Sequence, residues 1–268
     1  MGNRLQDKRC LIVGGTTGLG RAAAARFLEE GARIVIAGRS KSKGEEALTS
    51  LREKGQVHFL TANAAVGEQV ERLFHEATAA LGGLDVLYHL AGASGRRFGD
   101  GPLHECSEGG WQATMEANLT STFLTNRAAV RHLLAQRRPG AILNMTSVLS
   151  FAPSPRHFDI VAYAAAKGAI IALSRQAAAR YAVHGIRINT LAPGVVDTPG
   201  ATRTINDPAV QDFLRGKQPL SAGAARPEDV ADAAVFLCSD AARLVTGIVL
   251  SVDGGWCVSE GQFSKNEG

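Results

Sequence analysis

The sequence predicts an α/β fold in which a doubly wound parallel sheet of about seven strands carries helices on both faces. Short apolar runs alternate with longer helical patterns along the chain, which is the order expected for a parallel sheet with crossover helices. The runs are nearly continuous in apolar residues, as in strands that are buried on both faces. No repeat or linker divides the chain, and one α/β unit can reach about 250 residues. We therefore predict a single domain over residues 1–268.

The first strand, "RCLIVG", leads into a glycine-rich loop and an alanine-rich helix over residues 19–30. Gly14, Gly18 and Gly20 have the spacing GxxxGxG. Glycine allows a sharp turn and a close approach of backbone to ligand, and the helix amino terminus offers free N–H groups to a phosphate. Within a strand–helix–strand unit this pattern favours a dinucleotide site, with a simple packing turn as the alternative.

The second strand, "ARIVIAG", ends at the position that contacts the ribose of a bound dinucleotide. A site for a free 2′-hydroxyl needs an acidic residue there. This chain instead has Arg39 and Ser40, with Lys41 and Lys43 close behind. A guanidinium binds a phosphate through paired hydrogen bonds. The sequence thus predicts NADP(H) rather than NAD(H), unless Arg39 is only a solvated loop residue.

The middle of the chain contains the strands "VHFLTA" and "LDVLYHLAG" and helical patterns over residues 67–81 and 111–135. His89 lies at the end of the fourth strand, where it could be a catalytic base or a structural hydrogen-bonding group. The motif supplies no carboxylate partner for it, which favours the structural role.

The fifth strand, "GAILNMTS", precedes a helical pattern over residues 161–182 that contains "YAAAK". Tyr163 and Lys167 are four residues apart and share one helix face. A free phenol, with a pKa of about 10, is a poor acid–base group at neutral pH. A nearby ammonium lowers that pKa. Alone, the pair is either catalytic or an ordinary surface pair.

The last third contains the strand "IRINTLAP", a helical pattern over residues 227–238 and the strand "GIVLSVDGG". Residues 194–222, which include Pro199, Pro208 and Pro219, show no clear periodicity. A segment of that length inside a compact domain is usually a functional lid or a disordered loop. We predict a substrate lid here.

Composition excludes several classes of function. The net charge is +4 without a run of five or six basic residues, which argues against a nucleic-acid partner. The four cysteines are far apart and form no CxxC pair, so we expect no metal site, no disulfide scaffold and a cytoplasmic location. No apolar run approaches the roughly 20 residues that span a bilayer, so we expect no membrane partner.

Taken together, the glycine loop, YxxxK and several other segments resemble the short-chain dehydrogenase/reductase family over nearly the whole chain. "ILNMTSVLS" is similar to the family's serine segment and "MEANLTSTF" to its helical asparagine segment. "INTLAPGVVDTP" is similar to the segment that borders the nicotinamide, and "RPEDVADAAVFLCSD" to the late helix. The resemblance implies a Rossmann-like fold and a homo-oligomer, either a dimer or a tetramer.

The resemblance also assigns catalytic roles to Ser147, Tyr163, Lys167 and Asn118, the last holding a water that relays protons from the lysine. Residues 148–162 are about three residues longer than usual, so Ser150 is an alternative to Ser147. The motif at the strand end favours Ser147. The implied cofactor-binding residues are Gly14, Thr16, Thr17, Gly18, Leu19, Gly20, Arg39, Ser40, Asn63, Ala64, Ala91, Gly92, Tyr163, Lys167, Pro193, Gly194, Val196 and Thr198.

Three positions depart from the family pattern. Val13 replaces the usual threonine before the first glycine, and "HLAG" replaces "NNAG". Asn63 stands where an aspartate commonly contacts adenine. None of these changes removes an acid–base group.

The predicted function is that of an NADP(H)-dependent oxidoreductase that interconverts a carbonyl and a secondary alcohol of a small molecule. Arg96, Arg97, Arg156 and His157 indicate either an anionic substrate or solvent-facing loop charge. Two alternatives are a non-redox lyase or epimerase on the same fold and a non-catalytic NADP-binding sensor. Such sensors often lose the tyrosine or the lysine, and this chain has both.

Overall fold

A computed structural model describes residues 3–260, so residues 1–2 and 261–268 of the predicted domain lie outside the described residues. Its centre is a seven-stranded sheet in the order β3-β2-β1-β4-β5-β6-β7, in which all neighbours pair in parallel. The strands are β1 (Arg9–Val13), β2 (Arg33–Gly38), β3 (Val57–Thr61), β4 (Val86–His89), β5 (Gly140–Met145), β6 (Ile186–Pro193) and β7 (Val249–Val252). This single doubly wound α/β domain confirms the predicted fold.

Helices connect the strands and cover both faces of the sheet. They are α1 (Gly18–Glu29), α2 (Lys41–Leu51), α3 (Gly67–Leu81), α4 (Glu108–Met115), α5 (Ser121–Gln136), α6 (Pro155–Phe158), α7 (Val161–Tyr181), α8 (Thr202–Ile205), α9 (Pro208–Lys217) and α10 (Pro227–Cys238). Strand order reverses between β1 and β4. At such a point the crossovers leave in opposite directions and open a crevice beyond the carboxyl ends of the strands.

Alternate residues of each strand face two separate cores. In β1, Cys10 and Ile12 pack in the cluster under α1 and α10, whereas Leu11 and Val13 pack in the cluster under α3, α5 and α7. This follows from the period of two in a β-strand. It also explains why the strands read as continuous apolar runs.

The structure differs from the predicted elements at several points. The helix expected over residues 111–135 is two helices joined by a π-helical turn at Glu116–Thr120. The segment 194–222 contains α8 and α9, which its sequence did not predict. Helix α9 buries Val210 and Leu214 against Trp256, so its stability comes from a contact with a distant part of the chain.

Within residues 3–260, no helix is long and apolar enough to cross a membrane. In the same part of the chain no three His, Cys, Asp or Glu side chains cluster as metal ligands would. The four cysteines are free, and Cys10 and Cys238 are buried.

Candidate active site

A cleft of about 780 Å³ lies at the carboxyl ends of the strands, where the strand order reverses. This volume is in the range of small-molecule and cofactor sites. Most residues predicted to bind a cofactor line it, namely Gly14, Thr16, Thr17, Gly18, Leu19, Gly20, Arg39, Ser40, Asn63, Ala64, Ala91, Gly92 and Thr198. The fold therefore brings together segments that are far apart in the chain, from the glycine loop at Gly14 to Thr198.

The glycine loop packs closely against itself and against the segment after β4. Gly14 has a φ of 90°, and a Cβ there would lie 2.7 Å from the backbone nitrogen of Ala91. A Cβ on Gly20 would lie 2.0 Å from the carbonyl oxygen of Gly14. Thr17 caps α1 without a side-chain hydrogen bond, and the first turn holds no acidic residue. The amino terminus of α1 thus presents uncapped N–H groups to the cleft, which fits a phosphate ligand.

A second helix begins at the edge of the cleft, beside the predicted ribose position. Ser40 caps α2 by accepting a hydrogen bond from the Lys43 backbone, and the first turn again holds no acidic residue. Arg39 and Lys43 line the cleft. Within the described chain neither forms an ion pair with a carboxylate. Two cations without a carboxylate partner and a helix amino terminus make this end of the cleft electropositive, which favours an anionic ligand.

Asn63 also lines the cleft, just after β3. Its side-chain oxygen accepts a hydrogen bond of 3.1 Å from Ala65, and its backbone N–H donates to Gln69 over 2.8 Å. The side chain therefore helps to shape its own loop, where the family commonly has an aspartate.

Tyr163 lies in the first turn of α7, and Ser147 is the second residue after β5. Burial raises the pKa of the Tyr163 phenol to about 12, and a hydrogen bond from the Ser147 hydroxyl acts in the opposite direction. The structure thus brings together the two hydroxyl groups that the sequence pairs. At neutral pH the phenol is protonated.

Lys167 lies one turn further along α7 and is buried. Its ammonium donates a hydrogen bond of 3.0 Å to the Met145 carbonyl oxygen and lies 5.4 Å from the centre of the Tyr163 ring. Burial lowers the pKa of the Lys167 amine to about 8. The sequence led us to expect that Lys167 lowers the phenol pKa below 10. In this structure burial dominates, and the phenol pKa rises instead.

The geometry separates Ser147 from Ser150. Ser150 donates a hydrogen bond of 2.6 Å to the backbone oxygen of Ser147, so its hydroxyl closes the turn. The Ser147 hydroxyl oxygen accepts a hydrogen bond of 3.3 Å from the Leu149 backbone, and the same hydroxyl acts to lower the pKa of the Tyr163 phenol. The assignment of Ser147 as the catalytic serine stays a prediction, and this arrangement favours it over Ser150.

Asn118 lies in the π-helical turn between α4 and α5 and is fully buried. Its amide nitrogen donates to the carbonyl oxygens of Ala93 and Thr114, over 2.8 and 2.9 Å. Its side-chain oxygen has no partner within the described chain. A Cβ on Gly92 would come within 2.4 Å of that oxygen and 3.3 Å of the Lys167 amine. An unsatisfied buried acceptor beside Lys167 fits a position filled by a bound water or ligand.

From the sequence, His89 could be a catalytic base or a structural group. Its contacts in the structure are structural. It is buried, its Nδ1 lies 2.9 Å from the Thr125 hydroxyl, and its Nε2 lies 3.1 Å from the Ala91 carbonyl oxygen. Burial, with the nearby Lys167 charge, lowers the pKa of His89 to about 3. These bonds confirm the structural role and tie β4 to α5.

The chain is similar to known proteins over nearly its whole length. The family model described as "Enoyl-(Acyl carrier protein) reductase" matches residues 13–257. A structure of a short-chain type dehydrogenase/reductase from Mycobacterium ulcerans superposes with a TM-score of 0.86 at 28% identity, covering 96% of this chain and 92% of the other. The chain belongs to the short-chain dehydrogenase/reductase family.

Two relatives of this short-chain dehydrogenase/reductase match over almost their full lengths. The cis-4-hydroxycyclohexanecarboxylate dehydrogenase of Sinomonas cyclohexanicum is 35% identical over 96% of this chain and 99% of its own. The 3beta-hydroxysteroid dehydrogenase 1 of Eggerthella lenta is 36% identical over 97% of this chain and 98% of its own. The chain is therefore comparable in extent to both.

In this short-chain dehydrogenase/reductase the segment after β6 needs a support that the sequence did not reveal. Gln218 is fully buried; its side-chain oxygen accepts from the Val195 backbone over 2.6 Å, and its nitrogen donates to the carbonyl oxygens of Val195 and Gly223. A Cβ on Gly194 would lie 2.4 Å from the same Gln218 oxygen. An isolated glutamine carries no sequence signal for this role.

The predicted nicotinamide-binding residues after β6 differ in whether they face the cleft. Pro193 ends the strand, and Thr198 reaches the cleft beside Gly18. The Val196 side chain is buried in the core beneath α1 and α10. Any contact between Val196 and a ligand therefore has to come from its backbone.

Proposed function

We propose that this protein is an NADP(H)-dependent oxidoreductase that interconverts a carbonyl and a secondary alcohol by hydride transfer, with Tyr163 as acid and base. One observation carries the proposal. A protonated phenol and the Ser147 hydroxyl interact beside a cleft whose glycine loop fits a dinucleotide.

When bound, the nicotinamide supplies or accepts the hydride. In the reductive direction Tyr163 donates its proton to the carbonyl oxygen as negative charge develops there. The raised phenol pKa keeps that proton in place at neutral pH. Ser147 donates a hydrogen bond to the same oxygen, and this bond strengthens as the charge grows.

Lys167 and Asn118 support the proton transfer. The Lys167 ammonium stabilises the phenolate that remains after Tyr163 has given up its proton. Its pKa of about 8 also allows the amine to exchange protons near neutral pH. We propose that the unpaired oxygen of Asn118 holds the water that returns a proton to Lys167.

The ribose end of the cleft supports NADP(H) over NAD(H). Arg39 and Lys43 line it, and Ser40 begins a helix there. A 2′-phosphate pairs with such cations, whereas an acidic residue would be needed to bind a free 2′-hydroxyl.

The printed names of the relatives support an alcohol as substrate. One is a dehydrogenase of a hydroxycyclohexanecarboxylate and another is a dehydrogenase of hydroxysteroids. Arg97 lines the cleft and could pair with an anionic group. Arg96 donates to the His157 carbonyl oxygen over 3.0 Å and thus joins the loop after β4 to α6.

We further propose that residues 194–222 act as the lid and that the protein forms a homodimer or homotetramer. Thr198 and Pro199 lie against Gly18 at the amino terminus of α1, where a lid would cover bound cofactor. Trp111 and Phe123 are exposed on the α4–α5 pair, as expected for an assembly through long helices. Light scattering coupled to gel filtration tests the assembly. The cytoplasmic location stays a prediction.

A panel of secondary alcohols and ketones, followed by NADP(H) absorbance at 340 nm, tests the function. We expect turnover with NADP(H), and we expect Tyr163→Phe to reduce kcat by about 10³-fold or more, because the proton donor is lost. The Kd for NADPH should change less than twofold. Turnover of substrate without a change in absorbance would instead indicate lyase or epimerase chemistry. Binding of NADPH without any turnover would indicate a sensor.

A further inference from the structure

Helix α7 carries Tyr163, yet its own sequence does not cap its amino terminus. The residue before it is Ile160, which has no side-chain acceptor. The first turn of a helix leaves N–H groups that need partners. In this protein the partners come from residues 100 and 101, some 60 positions earlier in the chain.

Asp100 supplies two of these partners. Its Oδ1 accepts a hydrogen bond of 2.9 Å from the backbone N–H of Ala162, and its Oδ2 accepts one of 3.0 Å from that of Tyr163. The neighbouring Gly101 carbonyl oxygen accepts from Val161 over 3.1 Å. One short loop thus fixes three successive residues, and the carboxylate binds directly to the backbone of Tyr163.

The carboxylate is buried, with 5% of Asp100 exposed. Within residues 3–260 it forms no ion pair with Lys, Arg or His. A buried carboxylate without a cation depends on N–H donors and on the positive end of the helix dipole. The first turn of α7 provides both the N–H donors and the positive end of the dipole. The Asp100 carboxylate thus binds the first turn of α7 through charge-assisted hydrogen bonds.

The loop that holds Asp100 is itself hydrogen-bonded and packs against α4. The Asp100 backbone donates to the Gly95 carbonyl oxygen over 3.1 Å, and Ser107 donates to that of Gly99 over 3.0 Å. A Cβ on Gly110 would come within 2.6 Å of the Asp100 nitrogen, so α4 packs directly against this backbone. Phe98, two residues before Asp100, lines the cleft.

We propose that Asp100 is a positioning residue for Tyr163: its carboxylate anchors the first turn of α7 and thereby places the phenol opposite Ser147. This inference rests on the proposed function of Tyr163. Reacting groups that are displaced by about 1 Å can lose roughly 100-fold in rate. A loose first turn would displace Tyr163 while leaving the glycine loop and the ribose end intact.

The test compares Asp100→Ala and Asp100→Asn with the wild type, using a substrate from the alcohol and ketone panel. Asp100→Ala should lower kcat by about 10- to 100-fold while the Kd for NADPH changes less than twofold. Asp100→Asn keeps one acceptor oxygen and should restore part of that loss. If the alanine variant does not fold, the asparagine variant gives the same comparison with wild type.

Asp229→Ala is the matched control. Asp229 also accepts a backbone N–H at a helix amino terminus, that of Arg226 at α10, and α10 carries no predicted site residue. This variant should lose stability while keeping its kcat. An equal fall of kcat in Asp229→Ala, or a kcat within twofold of wild type in Asp100→Ala, overturns the proposal.

Amide hydrogen exchange separates this proposal from the proposed function. Faster exchange at Ala162 and Tyr163 in Asp100→Asn supports the anchoring even if no substrate of the panel turns over. Unchanged exchange at both amides overturns it. Absence of NADP(H)-linked turnover in the wild type counts against the proposed function alone.

Discussion

At the scale of single residues, burial sets the charge of the groups around the site. It raises the pKa of Tyr163 to about 12 and lowers those of Lys167 and His89 to about 8 and about 3. All three shifts favour the neutral form, because a low-dielectric interior disfavours charge. Tyr163 is thus protonated at neutral pH, as its proposed role as proton donor requires.

His89 should make stability depend on pH. Its folded pKa of about 3 lies below the unfolded value of 6.5, so the unfolded chain takes up the proton first as pH falls. The free energy of unfolding should therefore decrease by about 2 kcal/mol between pH 7.5 and pH 5 from this group. Urea unfolding of wild type and His89→Asn at both pH values measures the difference.

His58→Asn is the control for that measurement, since His58 is exposed on β3. Its variant should keep the pH dependence of the wild type. If His89→Asn also keeps it in full, the buried neutral imidazole is not its source.

Arg39 should determine cofactor choice. Arg39→Asp replaces a cation at the ribose end of the cleft with a carboxylate, which repels a 2′-phosphate and can accept from a free 2′-hydroxyl. We expect the Kd for NADPH to rise by about tenfold or more, while that for NADH does not rise. Fluorescence titration measures both.

Arg52→Asp makes the same charge change on an exposed residue that does not line the cleft. Its effect on either Kd should be small. Equal losses of NADPH affinity in the two variants would mean that overall charge, not a specific contact, sets the preference.

At the scale of elements, the site consists of strand ends and helix starts. Ser147 follows β5, Tyr163 begins α7, and the glycine loop begins α1. Helix starts supply donors, while the parallel strands bring these starts to one edge of the sheet. The π-helical turn at Glu116–Thr120 interrupts the α4–α5 pair where Asn118 points toward Gly92, and such turns are frequent at functional sites.

Gln218 tests how strongly the segment after β6 depends on one side chain. Gln218→Ala leaves the backbone N–H of Val195 without its acceptor and should lower the free energy of unfolding by about 1–3 kcal/mol. It should also weaken NADPH binding, because Thr198 loses its support. Thermal unfolding and NADPH titration check both effects.

Gln211→Ala, on the exposed side of α9, is the matched control and should leave both quantities nearly unchanged. A Gln218→Ala variant with wild-type NADPH affinity would show that the segment holds its shape through other contacts.

At the scale of the whole molecule, the two ends of the parallel strands have different roles. The cleft lies at the carboxyl ends of the strands. At the amino edge Arg9 binds Asp85 through Nε and Nη2, both over 2.7 Å, and donates to the Gly82 carbonyl oxygen. Burial alone would raise the pKa of Asp85, but the hydrogen bonds and charge of Arg9 outweigh it and lower that pKa.

Asp85→Ala should therefore cost stability without touching function. Removing one partner of a largely buried ion pair leaves the other uncompensated, which costs about 3–5 kcal/mol. The wild-type contribution is present above pH 3.8, the unfolded value, and is lost as pH falls through the lower folded pKa. The NADPH affinity should not change, because the pair lies at the opposite edge from the cleft.

Asp240→Ala removes the carboxylate of an exposed ion pair with Lys8 and should cost under about 1 kcal/mol. Urea unfolding compares the two variants. A similar small loss for both would mean that the Arg9–Asp85 pair adds little to stability.

Local signals in the sequence were enough for much of this architecture. Seven apolar runs predicted the seven strands, and the patterns over residues 67–81 and 227–238 match α3 and α10. Helix α2 was missed because its polar sequence, with Gly44, has little apolar periodicity. Helix α9 was missed because a distant residue, Trp256, completes its apolar contact.

The sequence by itself determined the fold class, the glycine loop and the shared helix face of Tyr163 and Lys167, since each depends on residues close together in the chain. Only the tertiary structure decided the structural role of His89, the bonding of Ser150, the burial that raises the Tyr163 pKa, and the supports given by Gln218 and Asp100. These depend on partners from 3 to 63 residues away whose packing removes water, and burial is a property of the folded chain rather than of any segment.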